Sequence, residues 1–253
     1  MYSTDLTDSQ WEVIEEILND QRKRKYSLRV VMNALFYLLT TGCQWRMLPK
    51  EYPPYRLVHY YFRKWRDNGQ LERINQKLNR NFRLSRGRKS SPSTGILDAQ
   101  SVKNSEWGLP DKGYDGHKHI QGRKRQLIVD TLGLILAAFV HPANWHDSKG
   151  GFDVLERLKK QRYRRIKQII ADYGYRGSLI NWAKEQFNWD LQIVKTHTRK
   201  NENFTPLPQR WKVERTISWL QWHRRLAKDY EAYPESSEAY IYLSNILRVI
   251  RNF

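Results

Sequence analysis

The chain of 253 residues is predicted to fold as an α/β protein that begins with a helical region. Two observations indicate this class. Apolar side chains recur at helical spacing up to Trp65, whereas from Ile96 onward short apolar runs of strand length alternate with helical segments. The order strand, hairpin, helix, strand, helix, strand, helix is typical of an α/β domain. The predicted domains are 1–84 (helical), 85–95 (a linker) and 96–253 (α/β).

Local signals predict three helices in the N-terminal region. Thr7 and Gln10 form a capping-box pattern, which places the first helix just after Thr7. A second helix is predicted from Ser27 to Gly42, because glycine is a common helix stop. A third helix starts at about Tyr55, after three prolines. Its apolar face is formed by Val58, Phe62 and Trp65. Another, basic face is formed by Arg56, Tyr60 and Arg63.

A helix, a proline-bearing turn and a helix with a basic face resemble a helix-turn-helix unit. This face is therefore a candidate DNA contact, and a plain helical bundle with a solvated basic face is the alternative. The following segment is basic and rich in serine and glycine, so it is either a solvated tether or a segment that follows a DNA backbone.

The α/β region is predicted element by element from periodicity and turn residues. The run Thr131-Leu132-Gly133 between two apolar runs indicates a hairpin. Predicted strands cover Ile96–Val102, Arg125–Asp130, Leu134–Val140, Ile166–Ala171 and Leu191–Val194, and predicted helices cover Phe152–Lys160, Leu179–Phe187, Trp211–Leu226 and Ser237–Ile250.

The charge of the chain indicates a polyanionic partner. The formal net charge is +19 and the sequence pI is about 10.0, and lysines and arginines that neutralise phosphates release counterions. No run reaches the roughly 18 apolar residues of a membrane span, the N-terminus has no secretory-signal pattern, and Cys43 is the single cysteine. We therefore expect a cytoplasmic protein without an internal disulfide.

Three carboxylates are candidate metal ligands and catalytic groups. Asp98 and Asp172 each close an apolar run, although aspartate is a poor strand residue. Both acids are therefore placed at strand ends, and if their strands are parallel neighbours, both lie at the carboxyl ends where α/β sheets form sites. Glu214 lies on a polar stripe of a later helix with Ser218, Gln221 and Arg225, beside an apolar stripe that includes Val213 and Leu220. Hard cations such as Mg²⁺ prefer carboxylate oxygens. Taken singly, each acid is more readily a turn, cap or exposed helix residue.

Other residues have weaker functional interpretations. Asp147 is a candidate for the mouth of the site, and Asp130 is predicted to be structural. Most of the ten tryptophans are expected in the core, and Trp211 and Trp222, beside the Glu214 segment, are the candidates for stacking on bases. The histidines near residues 117–146 match no zinc motif. Candidate phosphate contacts, each equally readable as a solvated cation, are Lys103, Lys118, Arg123, Lys124, Arg215 and Arg225.

The acid order and its local motifs resemble a known family. Asp, Asp and a helical Glu in this order resemble the DDE transposase and integrase group. Several motifs look like those of bacterial insertion-sequence transposases of the insertion-sequence-five type: Ile96–Lys103, Gly122–Arg125, Val129–Thr131, Ala171–Gly177 and Val213–Thr216. Related families also carry a Tyr, Arg, Glu, Lys signature. Arg210 fits its Arg position and is a further candidate DNA contact, whereas Leu207 and Gln221 replace its Tyr and Lys.

The resemblance implies a fold, an activity and partners. It implies an RNase H-like, retroviral-integrase-type catalytic domain in which Asp98, Asp172 and Glu214 bind Mg²⁺, with Mn²⁺ able to substitute. The implied activity is DNA cleavage and strand transfer on the inverted repeats of an insertion sequence and on target DNA. A homodimer or larger assembly in the bacterial nucleoid is expected. The alternatives are a non-catalytic, transposase-derived DNA-binding or repressor protein, and a structure-specific nuclease on the same core.

Overall fold

The computed structural model describes residues 2–105, 110–194 and 209–252. In chain order, its helices are α1 (Asp8–Leu18), α2 (Leu28–Thr41), α3 (Tyr55–Asp67), α4 (Gln70–Ser85), α5 (Asp147–Lys160), α6 (Ser178–Phe187), α7 (Trp211–Gln221), α8 (Arg224–Ala227) and α9 (Pro234–Ile250). Its strands are β1 (Thr94–Lys103), β2 (Gly113–Asp115), β3 (Ile120–Val129), β4 (Ile135–Pro142), β5 (Gln168–Asp172) and β6 (Asp190–Val194). Among the described residues, no helix is long and apolar enough to cross a membrane.

The chain divides into two compact units. One comprises residues 1–88 and 220–253, and the other comprises residues 89–219. The C-terminal helices therefore group with the N-terminal helices, whereas the sequence placed them with the α/β region. The physical reason is the long-range packing of α9 on α4. The functional boundaries at residues 84 and 95 stay a prediction.

The helical unit contains the three predicted helices. Thr7 Oγ1 accepts from Gln10 N–H and Gln10 Oε1 accepts from Thr7 N–H, so the capping box is complete. Ser27 caps α2, which ends at Gly42 with φ of +68°. Helix α3 begins at Tyr55 as predicted. These signals act within a few residues, and the sequence alone therefore located them.

Helix α4 was not predicted, and its end overlaps the segment that was interpreted as a linker. Its inner face carries Asn75 and Asn79, which are both buried. Asn245 of α9 donates from Nδ2 to Asn75 Oδ1 at 2.6 Å and to Asn79 Oδ1 at 2.9 Å. Two buried asparagines interrupt the apolar pattern, and their partner lies 170 and 166 residues further along the chain.

The α/β unit is built on one mixed sheet. Its strand order is β2-β3-β1-β5-β6, and β4 pairs with β3. Strands β1, β3 and β4 are successively antiparallel, whereas β5 pairs in parallel with both β1 and β6. This is the strand arrangement of the predicted RNase H-like fold. One face of the sheet buries an apolar core against α5 and α6, which includes Leu97, Ile128, Val154, Leu179 and Tyr175.

Several predicted boundaries from Ile96 onward are wrong. Strand β3 starts at Ile120 rather than at Arg125, β4 runs to Pro142 rather than to Val140, and β2 adds a short strand beside the start of β3. The predicted Trp211–Leu226 helix ends at Gln221 and the chain restarts as α8. Its sequence shows no proline or glycine at the break, so the pattern alone gave no stop signal.

Candidate active site

The sheet places the first two acids side by side. Strands β1 and β5 are parallel neighbours, with Thr94 opposite Gln168 and Ile96 opposite Ile170. Continuing this register brings Asp98 next to Asp172. Asp172 ends β5, as predicted, but Asp98 lies in the middle of β1, where β1 remains paired with β3 through Leu127. The sequence wrongly placed Asp98 at a strand end, because β1 continues beyond its pairing with β5.

Helix α7 supplies the third acid. Val213 and Leu220 are buried on one face, while Glu214, Ser218 and Gln221 are exposed on another, as the stripe pattern predicted. The stripe was also expected to include Arg225. That residue instead belongs to α8, because α7 ends at Gln221.

The three acids lie around the guanidinium of Arg210. Its Nη2 lies 3.9 Å from Asp98 Oδ2, 3.8 Å from Asp172 Oδ2 and 3.4 Å from Glu214 Oε1. The Arg210 side chain is 12% exposed, whereas that of Glu214 is 57% exposed. The cluster is therefore open on the side of Glu214 and closed on the side of the sheet.

Burial dominates the electrostatics of Asp98. It raises the pKa of this carboxyl to about 6, against the hydrogen bond from Ala99 N–H and the charge of Arg210. The Ala99 bond measures 2.8 Å, and Asp172 Oδ1 likewise accepts from Gly174 N–H at 2.9 Å. Backbone donors thus orient both sheet carboxylates, leaving the other oxygen of each toward Arg210.

A fourth carboxylate borders this cluster, as the sequence suggested for Asp147. A Cβ on Gly174 would lie 3.1 Å from Asp147 Oδ2 and 3.1 Å from Asp172 Oδ1, so both carboxylates border one small space. Lys124 Nζ holds Asp147 Oδ1 at 2.8 Å and donates to Trp145 O at 2.9 Å. This ion pair fixes the start of α5 at the edge of the site.

The acids have the donor chemistry of a divalent-cation site. Asp98, Asp172 and Glu214 offer carboxylate oxygens, the ligands that hard cations prefer. Each places one oxygen within 4 Å of a single cationic nitrogen, that of Arg210. The described side chains form no set of three acids or histidines already close enough to hold an ion. The residues fit such a cation chemically, provided that they draw together around it.

The predicted DNA contacts fall into three groups, and the members of the first group are exposed. Arg56, Tyr60 and Arg63 are exposed together on α3, and Lys103 and Lys118 are exposed in the α/β unit. Trp211 and Trp222 are also exposed. Their contact with DNA stays a prediction.

Three predicted contacts are buried, and we assign them structural roles instead. Arg123 is fully buried and donates to Pro110 O and Asp111 O. Lys124 holds Asp147, as described above. Arg225 pairs with Glu231 and donates to Cys43 O. Burial of a charged group requires such partners. For Arg225 they lie 6 residues away at Glu231 and 182 residues away at Cys43, and the local patterns used for prediction indicate neither.

The remaining two cations, Arg210 and Arg215, are near Glu214 in the sequence. Arg215 stacks between the rings of Trp211 and Trp219, with its guanidinium carbon 4.6 and 4.5 Å from their centroids. Arg210 contacts the acids directly. Leu207, the residue at the Tyr position of the signature, lies outside the described residues.

Sequence reasoning missed the contacts that dock α7 on the sheet. Asp130 is buried, and its Oδ1 accepts from Leu132 N–H at 2.8 Å and Leu134 N–H at 3.0 Å, consistent with its predicted structural role. The turn that it shapes contains Gly133, whose carbonyl accepts from Thr216 Oγ1. The run Val129–Gly133 predicted a turn, but nothing in it indicated which helix contacts that turn.

Comparison with known proteins identifies the family. Residues 89–250 match the family described as "Transposase DDE domain", which covers more than half of the chain. The chain therefore belongs to the DDE transposase family. It is a DNA transposase of that class, whose members cleave DNA, transfer strands and use divalent metal ions.

The N-terminal region gives the narrower relationship. Residues 6–75 match the family described as "Putative transposase of IS4/5 family". A relative from Burkholderia cepacia, "Putative transposase for insertion sequence element IS402", is 26% identical over 149 residues, which are 56% of this chain and 70% of the relative.

Two solved structures of the Mos1 transposase also show similarity. The paired-end complex with the left transposon end is 13% identical, with a TM-score of 0.28, over 83% of this chain and 81% of that chain. The Mos1 strand transfer complex is 12% identical, with a TM-score of 0.29, over 92% of this chain and 77% of that chain.

Proposed function

We propose that Asp98, Asp172 and Glu214 form the active site of this transposase and bind Mg²⁺, which Mn²⁺ can replace. The observation that carries the proposal is the convergence of all three carboxylates on Arg210 Nη2, within 4 Å. Two acids come from neighbouring parallel strands and one from a helix, so the fold itself assembles them.

The chemistry follows from the acids and the family activity. Divalent cations bound by such acids stabilise the attacking and leaving oxygens of a phosphodiester exchange. Asp98 and Asp172 would hold fixed positions, because backbone N–H groups orient them. Glu214 is the exposed member, so it would complete the site from the side that DNA approaches. We propose cleavage at the element end, followed by attack of the freed 3′-hydroxyl on target DNA.

The proposed DNA partners are the terminal inverted repeats of the element and a target duplex. The exposed face of α3, formed by Arg56, Tyr60 and Arg63, supports contact with the DNA backbone. Two ends must be brought together before strand transfer, and we therefore propose a dimer or larger assembly on DNA.

The test is strand transfer in vitro with DNA from the ends of the element. Purified protein is incubated with labelled end DNA, a target plasmid and Mg²⁺ or Mn²⁺. We expect cut and joined products, both lost in Asp98→Asn, Asp172→Asn and Glu214→Gln. Glu235→Gln, which changes an exposed acid of α9, is the matched control.

The outcomes separate the proposed function from its alternatives. Cut ends without joined products would indicate a structure-specific nuclease. Tight end binding with no cleavage under either metal would indicate a non-catalytic DNA-binding protein. Full activity in Asp172→Asn would overturn the assignment of the acids.

A further inference from the structure

The guanidinium of Arg210 is held by charge rather than by directional bonds. Its contacts with the three acids measure 3.4 to 3.9 Å, whereas charge-assisted hydrogen bonds to carboxylates are roughly 2.7–2.9 Å long. Its Nε is buried and has no hydrogen-bond partner within the described part of the chain. A cation held this way is exchangeable, because no specific bond geometry is lost when it leaves.

The position of Nη2 is also the place that a shared metal ion requires. A small divalent cation bound by carboxylates lies roughly 2.0–2.6 Å from their oxygens. The point common to Asp98, Asp172 and Glu214 is occupied by Nη2. Arg210 and a cation bound by all three acids therefore exclude each other.

We propose that Arg210 is an internal counter-cation that competes with the divalent metal for the acid cluster. This inference rests on the proposed assignment of the three acids. Without DNA, the guanidinium offsets the repulsion among the carboxylates and weakens metal binding. A DNA phosphate near the site offers the guanidinium a replacement partner, so end DNA and metal favour each other's binding.

The location of Arg210 supports this exchange. It directly precedes α7 and lies one turn before Glu214, so its side chain can turn away while the helix stays docked. Lys118 is the next cation that acts on Asp98, but its Nζ donates to Ala99 O at 3.3 Å. Of these two cations, Arg210 is therefore the one placed between the acids.

The first measurement is Mn²⁺ affinity of the full chain without DNA, by calorimetry or by electron paramagnetic resonance of free Mn²⁺. Removing a positive charge about 4 Å from the ligands strengthens cation binding, so we expect Arg210→Ala to bind Mn²⁺ about tenfold tighter than the wild type. Lys212→Ala removes a cation from the first turn of α7, close to Arg210 in the sequence, and is expected to leave the affinity within about twofold. Arg210→Lys keeps the charge and is expected to stay near the wild type.

The second measurement is the coupling between metal and DNA. End DNA is expected to tighten Mn²⁺ binding by the wild type and to have much less effect on Arg210→Ala. In EDTA, the thermal unfolding midpoint of Arg210→Ala should fall below that of the wild type, and Mn²⁺ should restore most of the difference. Arg210→Gln serves the same comparison if the alanine variant does not fold.

The controls distinguish this inference from the proposed function. If Asp172→Asn binds Mn²⁺ as tightly as the wild type, the assignment of the acids is wrong. Suppose instead that Asp172→Asn loses Mn²⁺ binding, while folded Arg210→Ala and Arg210→Gln bind Mn²⁺ no tighter than the wild type. The assignment of the acids as metal ligands is then kept, and the competition by Arg210 is overturned.

Discussion

Thr216 Oγ1 donates a hydrogen bond of 3.0 Å to the carbonyl oxygen of Gly133, and this bond joins the helix of Glu214 to the turn between β3 and β4. Thr216 is buried and lies two residues after Glu214. The same turn accepts a bond of 3.4 Å from Arg215 Nη2 through Leu132 O. The position of the third acid therefore depends on a turn that lies outside the acid cluster.

Gly133→Ala is expected to destabilise the protein by disturbing this contact. Gly133 has φ of +80°, and an added Cβ would lie 2.8 Å from Thr216 Oγ1. Gly87→Ala is the matched control, because Gly87 has φ of +65° but nothing within 4 Å of its Cβ position. Both variants lose about 1–2 kcal/mol to backbone strain, and Gly133→Ala loses about 1–3 kcal/mol more to overpacking. Equal losses in denaturant unfolding would show that the turn does not hold α7 tightly.

Glu231→Gln is expected to destabilise the helical unit strongly. Glu231 Oε1 lies 2.7 Å from Arg225 Nε, and both side chains are at most 10% exposed. Removing one charge leaves the other buried and uncompensated, which costs about 3–5 kcal/mol. Chemical denaturation measures the loss, with Glu235→Gln on the exposed start of α9 as the control. A loss no larger than that of the control would argue against a structural role for Arg225.

The stability of the protein is expected to fall in mild acid partly through His141. Burial lowers the pKa of His141 from 6.5 to about 4. Between pH 6.5 and 4 the unfolded chain binds a proton at His141 that the folded chain does not bind. The contribution of His141 to the free energy of unfolding is therefore complete above pH 6.5 and is lost as the pH falls toward 4. The contribution reaches about 3 kcal/mol.

Unfolding of His141→Gln measured between pH 4 and 7 should show a shallower loss than the wild type. His223, whose pKa burial also lowers to about 4, leaves part of the acid sensitivity in place. His117→Gln, a change at an exposed histidine, is the control. An unchanged slope in His141→Gln would show that another group carries the effect.

Arg56→Ala and Arg63→Ala are expected to weaken binding to end DNA and to lower its salt dependence. Each arginine that contacts a phosphate contributes about one unit to the slope of log affinity against log salt. Arg73→Ala, which removes an exposed arginine from α4, should leave the slope unchanged. Fluorescence anisotropy at several salt concentrations gives the slopes. If Arg56→Ala and Arg63→Ala show the same slope as the Arg73→Ala control, α3 is not part of the DNA-binding surface.

Local sequence signals predicted much of this molecule. The Thr7–Gln10 capping box, the stop at Gly42 and the β3–β4 turn each depend on a few adjacent residues, and the structure confirms them. The side-by-side placement of Asp98 and Asp172 was expected if their strands are parallel neighbours, and β1 and β5 are parallel neighbours, although Asp98 lies inside β1 and not at its end.

The remaining features depend on partners that are distant in the sequence. The burial of Arg225 depends on Cys43 O, which lies 182 residues away. The buried Asn75 of α4 accepts a hydrogen bond from Asn245, and α7 is held by the hydrogen bond from Thr216 to Gly133 O. The central position of Arg210 arises only when two strands and a helix meet. No periodicity within one segment carries this information.

The most direct test of the account is a change of metal preference in Asp172→Cys during end cleavage. Thiolate binds Mn²⁺ more readily than Mg²⁺, because Mg²⁺ strongly prefers oxygen ligands. We predict that Asp172→Cys is inactive in Mg²⁺ and regains cleavage in Mn²⁺, while Asp172→Ala is inactive in both and the wild type cleaves in both. Equal activity of Asp172→Cys in the two metals, or cleavage by Asp172→Ala, would contradict metal binding by Asp172 and with it the proposed active site.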